Sequence, residues 1–180
     1  MVSGWLSRSC RDTGKTSLND DTQQHTAFDG VADYIAALDK VCGMAQRTLN
    51  IFENDFADIG FNAESRYDIL RHFLVSSSTS RLQLLAHDPQ HLIRFCPRMM
   101  MLLREFNHGM AIYQTPSHMK TYTEAFAVAD NAHFVRRYHF DDTRGLLAKN
   151  DGEGARQLNS RFQEMWMASH SGATPTKLGL

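Results

Sequence analysis

Hydrophobic positions along the chain fall into two alternating rhythms. In "DGVADYIAALDKVCGMAQ", Val31, Tyr34, Ile35, Leu38, Val41, Cys42 and Ala45 recur at spacings of three and four, which predicts an amphipathic helix. "RTLNIFE" then runs with period two, Leu49 and Ile51 on one face and Asn50 and Phe52 on the other, and predicts a strand. The helical period returns in "NAESRYDILRHFLVSS" through Tyr67, Leu70, Phe73 and Leu74, with Asn62 as the expected N-cap. "SRLQLLAHD" predicts a second strand. "FCPRMMMLLREFNHG" reads as a helix with Pro97 in its first turn and Gly109 closing the segment. Three more strands follow, "MAIYQTP", "EAFAVAD" and "HFVRRYHF". A last helix sets Ala155, Leu158, Phe162, Met165 and Trp166 on one stripe.

Helices alternating with strands through the first two-thirds predict an α/β domain with a mixed, mostly parallel sheet flanked by helices. Two closely spaced strands near 124–140 predict an antiparallel hairpin that finishes the sheet. The domain is expected over 29–170. Residues 1–28 are polar and aperiodic, which predicts a flexible tail, and 171–180 predict a shorter one.

Composition narrows the function classes. The 180 residues and 42% hydrophobic content suffice for one domain with a real core. Lys and Arg number 19 against 20 Asp and Glu, so general charge does not draw this chain to nucleic acid, though a local basic patch remains open. Cys10, Cys42 and Cys96 are odd in number and far apart, with no CxxC pair, which reads as thiols in a reducing compartment rather than a zinc or disulfide framework. No apolar run reaches the ~18 residues of a membrane span. No leader with an apolar stretch opens the sequence, and the cytoplasm is the expected location.

Few side chains cluster in chemically suggestive ways. His87, Asp88 and His91 in "LLAHDPQH" follow a strand, where α/β sheets present ligand-binding groups, but Pro89 breaks their spacing. Asp88-Pro89 equally reads as a turn into a helix, and no metal site is assigned. Met99, Met100 and Met101 lie beside Leu102 and Leu103 and read as core filling. Neither a GxGxxG, a GxxxxGK[ST] nor a GxSxG occurs, so dinucleotide, P-loop and serine-hydrolase functions are disfavoured, and no cofactor is expected. In "HFVRRYHF", His133, Val135, Arg137 and His139 share one face, and Phe134, Arg136, Tyr138 and Phe140 the other. Charge on such a strand suits a sheet edge. Arg104, Arg136 and Arg137 are the anion-binding candidates, and Arg136, Arg137 and Tyr138 the residues of a possible nucleic-acid module.

The order "AQRTLNIFE", "LRHFLVSSSTSRLQLLAHD", "LLREFNHGMAIYQTP", "EAFAVAD", closing with "NSRFQEMWMAS", resembles one half of the phospholipase D-like fold over about residues 35–170. Within that family it looks most like bacterial domains of unknown function, some of which adjoin an acetyltransferase domain. The resemblance implies a signature HxK, four residues, Asp, six residues and GSxN, in which the His attacks phosphorus and the Lys neutralises phosphate charge. Residues 117–130, "SHMKTYTEAFAVAD", hold His118, Lys120 and Asp130 in that order, but nine residues separate Lys120 from Asp130. Five extra residues at ~3.3 Å each displace the groups by up to roughly 16 Å. Counted from Asp130, the His and Lys positions hold Thr123 and Ala125, and "RYHF" stands in place of GSxN. Asp130 with Asn131 also makes a good turn between two strands.

The expectation is a signature-less phospholipase D-like domain that serves as a binding, regulatory or dimerisation module. It would pair as a homodimer and take an anionic ligand or a partner protein in the old cleft. A divergent phosphodiesterase or phosphatidyltransferase remains if His118 and Lys120 fold back to meet Asp130.

Overall fold

A computed structural model of the chain describes residues 22–173. Eight strands form one open sheet in the order β1-β7-β6-β5-β2-β3-β4-β8. The strands are β1 (Gln24–Asp29), β2 (Thr48–Glu53), β3 (Arg81–Ala86), β4 (Met110–Gln114), β5 (Ala125–Ala129), β6 (His133–Arg137), β7 (Arg144–Lys149) and β8 (His170–Ala173). Five α-helices connect them: α1 (Val31–Met44), α2 (Glu64–Ser76), α3 (Gln90–Phe95), α4 (Pro97–Glu105) and α5 (Gly152–Ala168). The sheet is mixed, as expected. Its parallel part is smaller than expected, confined to β2, β3 and β4: β6 and β7 return by short reversing connections, and β5, β8 and β1 also pair antiparallel with their neighbours.

Side-chain alternation divides the molecule into two layers. Leu49 and Ile51 of β2, Leu82 and Leu84 of β3, and Ala127 and Ala129 of β5 face the apolar stripes of α1, α2 and α4. Phe52, Leu85, Phe126, Val128 and Phe134 point the other way, onto Ala155, Leu158, Phe162 and Met165 of α5. Two-sided burial explains why β5, "AFAVA", is apolar throughout while its neighbours alternate.

Several expectations are corrected. The tail expected over 1–28 gives way at Gln24, where β1 begins and pairs antiparallel with β7 along its whole length; residues 1–21, with Cys10, lie outside the described residues. β1 is nearly all exposed and carries no apolar alternation, so only its backbone ladder declares it. The second expected tail loses residues 171–173 to β8 in the same way. β6 is not an edge strand: it lies between β5 and β7. Asn62 does not cap α2, whose N-cap is Ala63 without a side-chain bond. Its side-chain oxygen instead accepts from the backbone N–H of Arg98, at the start of α4. No helix among the described residues is long and apolar enough to cross a membrane.

Gly145 marks the tightest passage. A Cβ there would sit 2.2 Å from the carbonyl oxygen of Arg136 and 2.3 Å from the Phe28 ring. Gly145→Ala is expected to cost about 1–3 kcal/mol in urea unfolding, towards the upper end because a backbone carbonyl cannot rotate away. An unchanged midpoint would contradict that packing.

Candidate functional site

The residues of the expected signature do not converge. His118 and Lys120 lie exposed at a single 3-10 turn, Ser117–Met119, before β5 begins. Asp130 stands past the other end of β5, whose five residues at about 3.3 Å each separate the two. Its carboxylate accepts from three consecutive backbone N–H groups, those of Gln46, Arg47 and Thr48, at 2.5, 2.8 and 2.8 Å. Asp130 and Asn131 both have positive φ, 52° and 54°, and the Ala132 N–H closes on the Ala129 carbonyl. Asp130, Asn131 and Ala132 thus join the paired Ala129 and His133, and the two left-handed residues give a tight turn that suits the twist of the flanking antiparallel strands. Asp130 therefore ties the β5–β6 turn to the entry of β2.

Counting back from Asp130, the register places Thr123 and Ala125 at the His and Lys positions, and the side-chain row through Ala125 shows what fills the space. Ala125 pairs with Arg137, Arg137 with Gly145, and Gly145 with Phe28. Continuing the β2–β5 register one step sets Glu53 on the other side of Ala125. Small residues thus alternate with large ones. Arg137 crosses the methyl of Ala125 to donate to Glu53 Oε2 at 3.1 Å, and the Tyr34 hydroxyl of α1 donates to Oε1. The Arg137 guanidinium also lies 4.4 Å from the centre of the Tyr34 ring. Glu53 is 2% exposed and Arg137 8%, so a carboxylate and a guanidinium are bonded to one another under α1. Burial pushes the Glu53 carboxyl up from its ordinary value, against the pull of Arg137 and of the Tyr34 hydroxyl, and drives the Tyr34 phenol well up.

His87 occupies the opposite face of the sheet at this end. Its Nε2 lies 2.7 Å from the Tyr122 carbonyl, which only accepts, so Nε2 carries the proton and Nδ1 accepts from the Thr115 hydroxyl. Phe52 and Phe140 pack edge-on against the ring. Burial lowers its pKa, and neither nitrogen has a lone pair left for attack or proton transfer. Asp88 bonds the Gln90 N–H, and His91 lies against Phe95, so the three residues of "HDPQH" point to three different partners.

The arginines do not form one site either. Arg104 is exposed in the last turn of α4. Arg136, on the α5 face, shares Glu124 with Arg161 and lies over the Tyr138 ring. Arg137 is the buried partner of Glu53 on the other face. Sequence reasoning missed Glu53 and Tyr34 because each ends or interrupts an otherwise apolar pattern. The one signal is the Tyr34 hydroxyl in a core stripe, which needs a partner wherever it is buried.

The fold is phospholipase D-like. It matches Nuc of Salmonella typhimurium, a phospholipase D family member, at a TM-score of 0.60 and 11% identity over 85% of this chain and 99% of that one. NucT from Helicobacter pylori matches at 0.57 and 14% identity, over 83% and 99%. The archaeal chromatin protein TrmBL2, described with a novel mode of DNA binding, matches at 0.63 and 10% identity; 87% of this chain spans 56% of its length. No curated protein matches by sequence. The chain belongs to the family described as domain of unknown function DUF7931, matched over residues 31–175.

Two expectations test these assignments. Glu53→Gln should cost about 3–5 kcal/mol in denaturant unfolding, because it leaves Arg137 buried without a counter-charge. Replacing the whole set, Tyr34→Phe with Glu53→Leu and Arg137→Met, should cost less than Glu53→Gln alone; a larger loss for the triple variant would show that the three do not act as one unit. For His87, the lowered pKa means the unfolded chain binds its proton first, so the stability it contributes is lost as pH falls below the ordinary 6.5. The stability gap between the parent and His87→Gln should therefore narrow from pH 7 to pH 5, and a constant gap would refute the assignment.

Proposed function

We propose that this domain is a non-catalytic phospholipase D-like module that acts by binding, as a homodimer, and takes a partner protein or anionic ligand at the end of the sheet where related sites carry their signature. One observation carries the reading: the path across Ala125 is occupied by Arg137 on its way to Glu53. A Lys side chain at 125 would compete for that path and add a second buried cation beside the first. The Tyr34–Glu53–Arg137 triad and a working signature are therefore alternatives for one space. Covalent phosphoryl transfer needs an accessible nucleophile with a partnered proton path, and His118, though exposed in its turn, has no hydrogen-bond partner among the described residues to supply that path. Pairing fits a chain that spans 99% of Nuc and of NucT and so amounts to a single unit of the fold.

The experiment is a phosphodiesterase assay on bis(p-nitrophenyl) phosphate, combined with light scattering on the same preparation. The parent protein should show no turnover, as should His118→Ala and Lys120→Ala, and should elute at twice the chain mass. Turnover that disappears in His118→Ala would restore the enzyme reading. Binding of duplex DNA that weakens steeply with salt would favour a nucleic-acid module instead.

A further inference from the structure

A groove of about 860 Å³ opens at the end of the sheet away from the triad, between the last turn of α1 and one face of α2. Met44, Ile69 and Phe73 contribute an apolar floor, and Asp68 and His72, one turn apart on α2, stand exposed at its rim. Neither Asp68 nor His72 makes a hydrogen bond or ion pair among the described residues. The volume lies within the range of small-molecule sites.

Asp68 is the one carboxylate in the lining, which also holds the imidazoles of His72 and His133. The C-terminal end of α1 presents backbone carbonyls and the negative pole of the helix, and its last turn holds no basic residue. Asp68 adds a full negative charge. No Lys or Arg is in the lining; Lys149 acts on the lining residue His133 from outside it. Gly43 marks an open stretch of the same wall. It lies in the last turn of α1 with no atom beyond its chain neighbours and its own helix backbone within 4 Å of where its Cβ would stand, and its φ is ordinary, so neither packing nor backbone conformation asks for glycine there. Alanine would make the better helix. The position faces open space on the groove wall, where a small side chain fits and a large one would reach into the groove.

We propose that the groove between α1 and α2 binds a small organic cation, a primary ammonium on an apolar body, with the ammonium at Asp68 and the α1 carbonyls and the body on Met44, Ile69 and Phe73. The site is independent of the triad end and of the reading given above for it.

The test is a titration of the full-length 15N-labelled protein with 2-phenylethylammonium, followed by NMR, with 2-phenylethanol and 3-phenylpropionate as neutral and anionic counterparts. The cation should move the Gly43, Gln46 and His72 amides saturably, about fivefold more tightly than the alcohol, and the carboxylate should move none of them. Asp68→Lys, an exposed exchange, should weaken the cation about tenfold or more. Gly43→Phe should abolish binding, and Gly43→Ala should keep it. Equal binding of the three probes, shifts confined to other amides, no shifts at all, or an unchanged affinity in Asp68→Lys would each overturn the proposal.

Discussion

The contact on which the arrangement turns is the buried carboxylate of Glu53, held between the Tyr34 hydroxyl and the Arg137 guanidinium. It joins the first helix, the central parallel strand and the antiparallel half of the sheet through one group. Isolated, any of the three would be costly to bury, since a buried charge without a partner loses its hydration and gains nothing. Together they satisfy most of each other's polar atoms. The bond geometry then fixes where α1 crosses the sheet and how β6 registers beside β5. The buried Nε of Arg137 is left without a hydrogen bond, a residual cost of the arrangement.

A second buried arginine does for the α1–α2 layer what Arg137 does for the sheet. Arg66 is 1% exposed, bonds Asp39 and the carbonyls of Ile59 and Ile35, and stacks over Phe61. It gathers the loop after β2, where Phe56 and Asp58 hold positive φ of 63° and 56°. Such a backbone is unfavourable for Phe and persists because burial of Phe56 against Phe61 overrides it. In this loop tertiary packing, not local propensity, decides the conformation.

Much of the architecture was legible because it is written in period. The stripe from Tyr34 to Cys42, the alternation of "TLNIFE" and the stripe of α5 each report a face that must be buried. The "DN" turn before His133 was legible as chemistry, and both residues adopt the left-handed backbone that such a turn requires. What escaped was held by other forces. β1 and β8 pair at the rims of the sheet with most of their side chains exposed, so no apolar alternation marks them. α3 has six residues, too short to show a period. β6 reads as an edge because its arginines look solvated, and only the distant Glu53 and Glu124 reveal otherwise. A charge whose partner lies 84 residues away leaves no local trace.

The row Glu53–Ala125–Arg137–Gly145–Phe28 shows how the space in one row of a sheet is shared between small and large side chains. Neighbouring strands stand about 4.8 Å apart, so large side chains cannot occupy every place in one row of a sheet packed beneath a helix. Here small residues sit at Ala125 and Gly145, and the space they free is taken by Arg137 from one side and by the Phe28 ring from the other. A catalytic Lys at 125 requires the inverse pattern, with small neighbours and an opening to solvent. No single exchange converts one pattern to the other. Lysine at 125 leaves it facing Arg137, and removing Arg137 first strands Glu53 in the core. The barrier between the two states is thus a packing barrier spread over three strands and α1. That is a physical reason for Thr123 and Ala125 to stand where the resemblance implies a His and a Lys, within the same helix, strand order and hairpin.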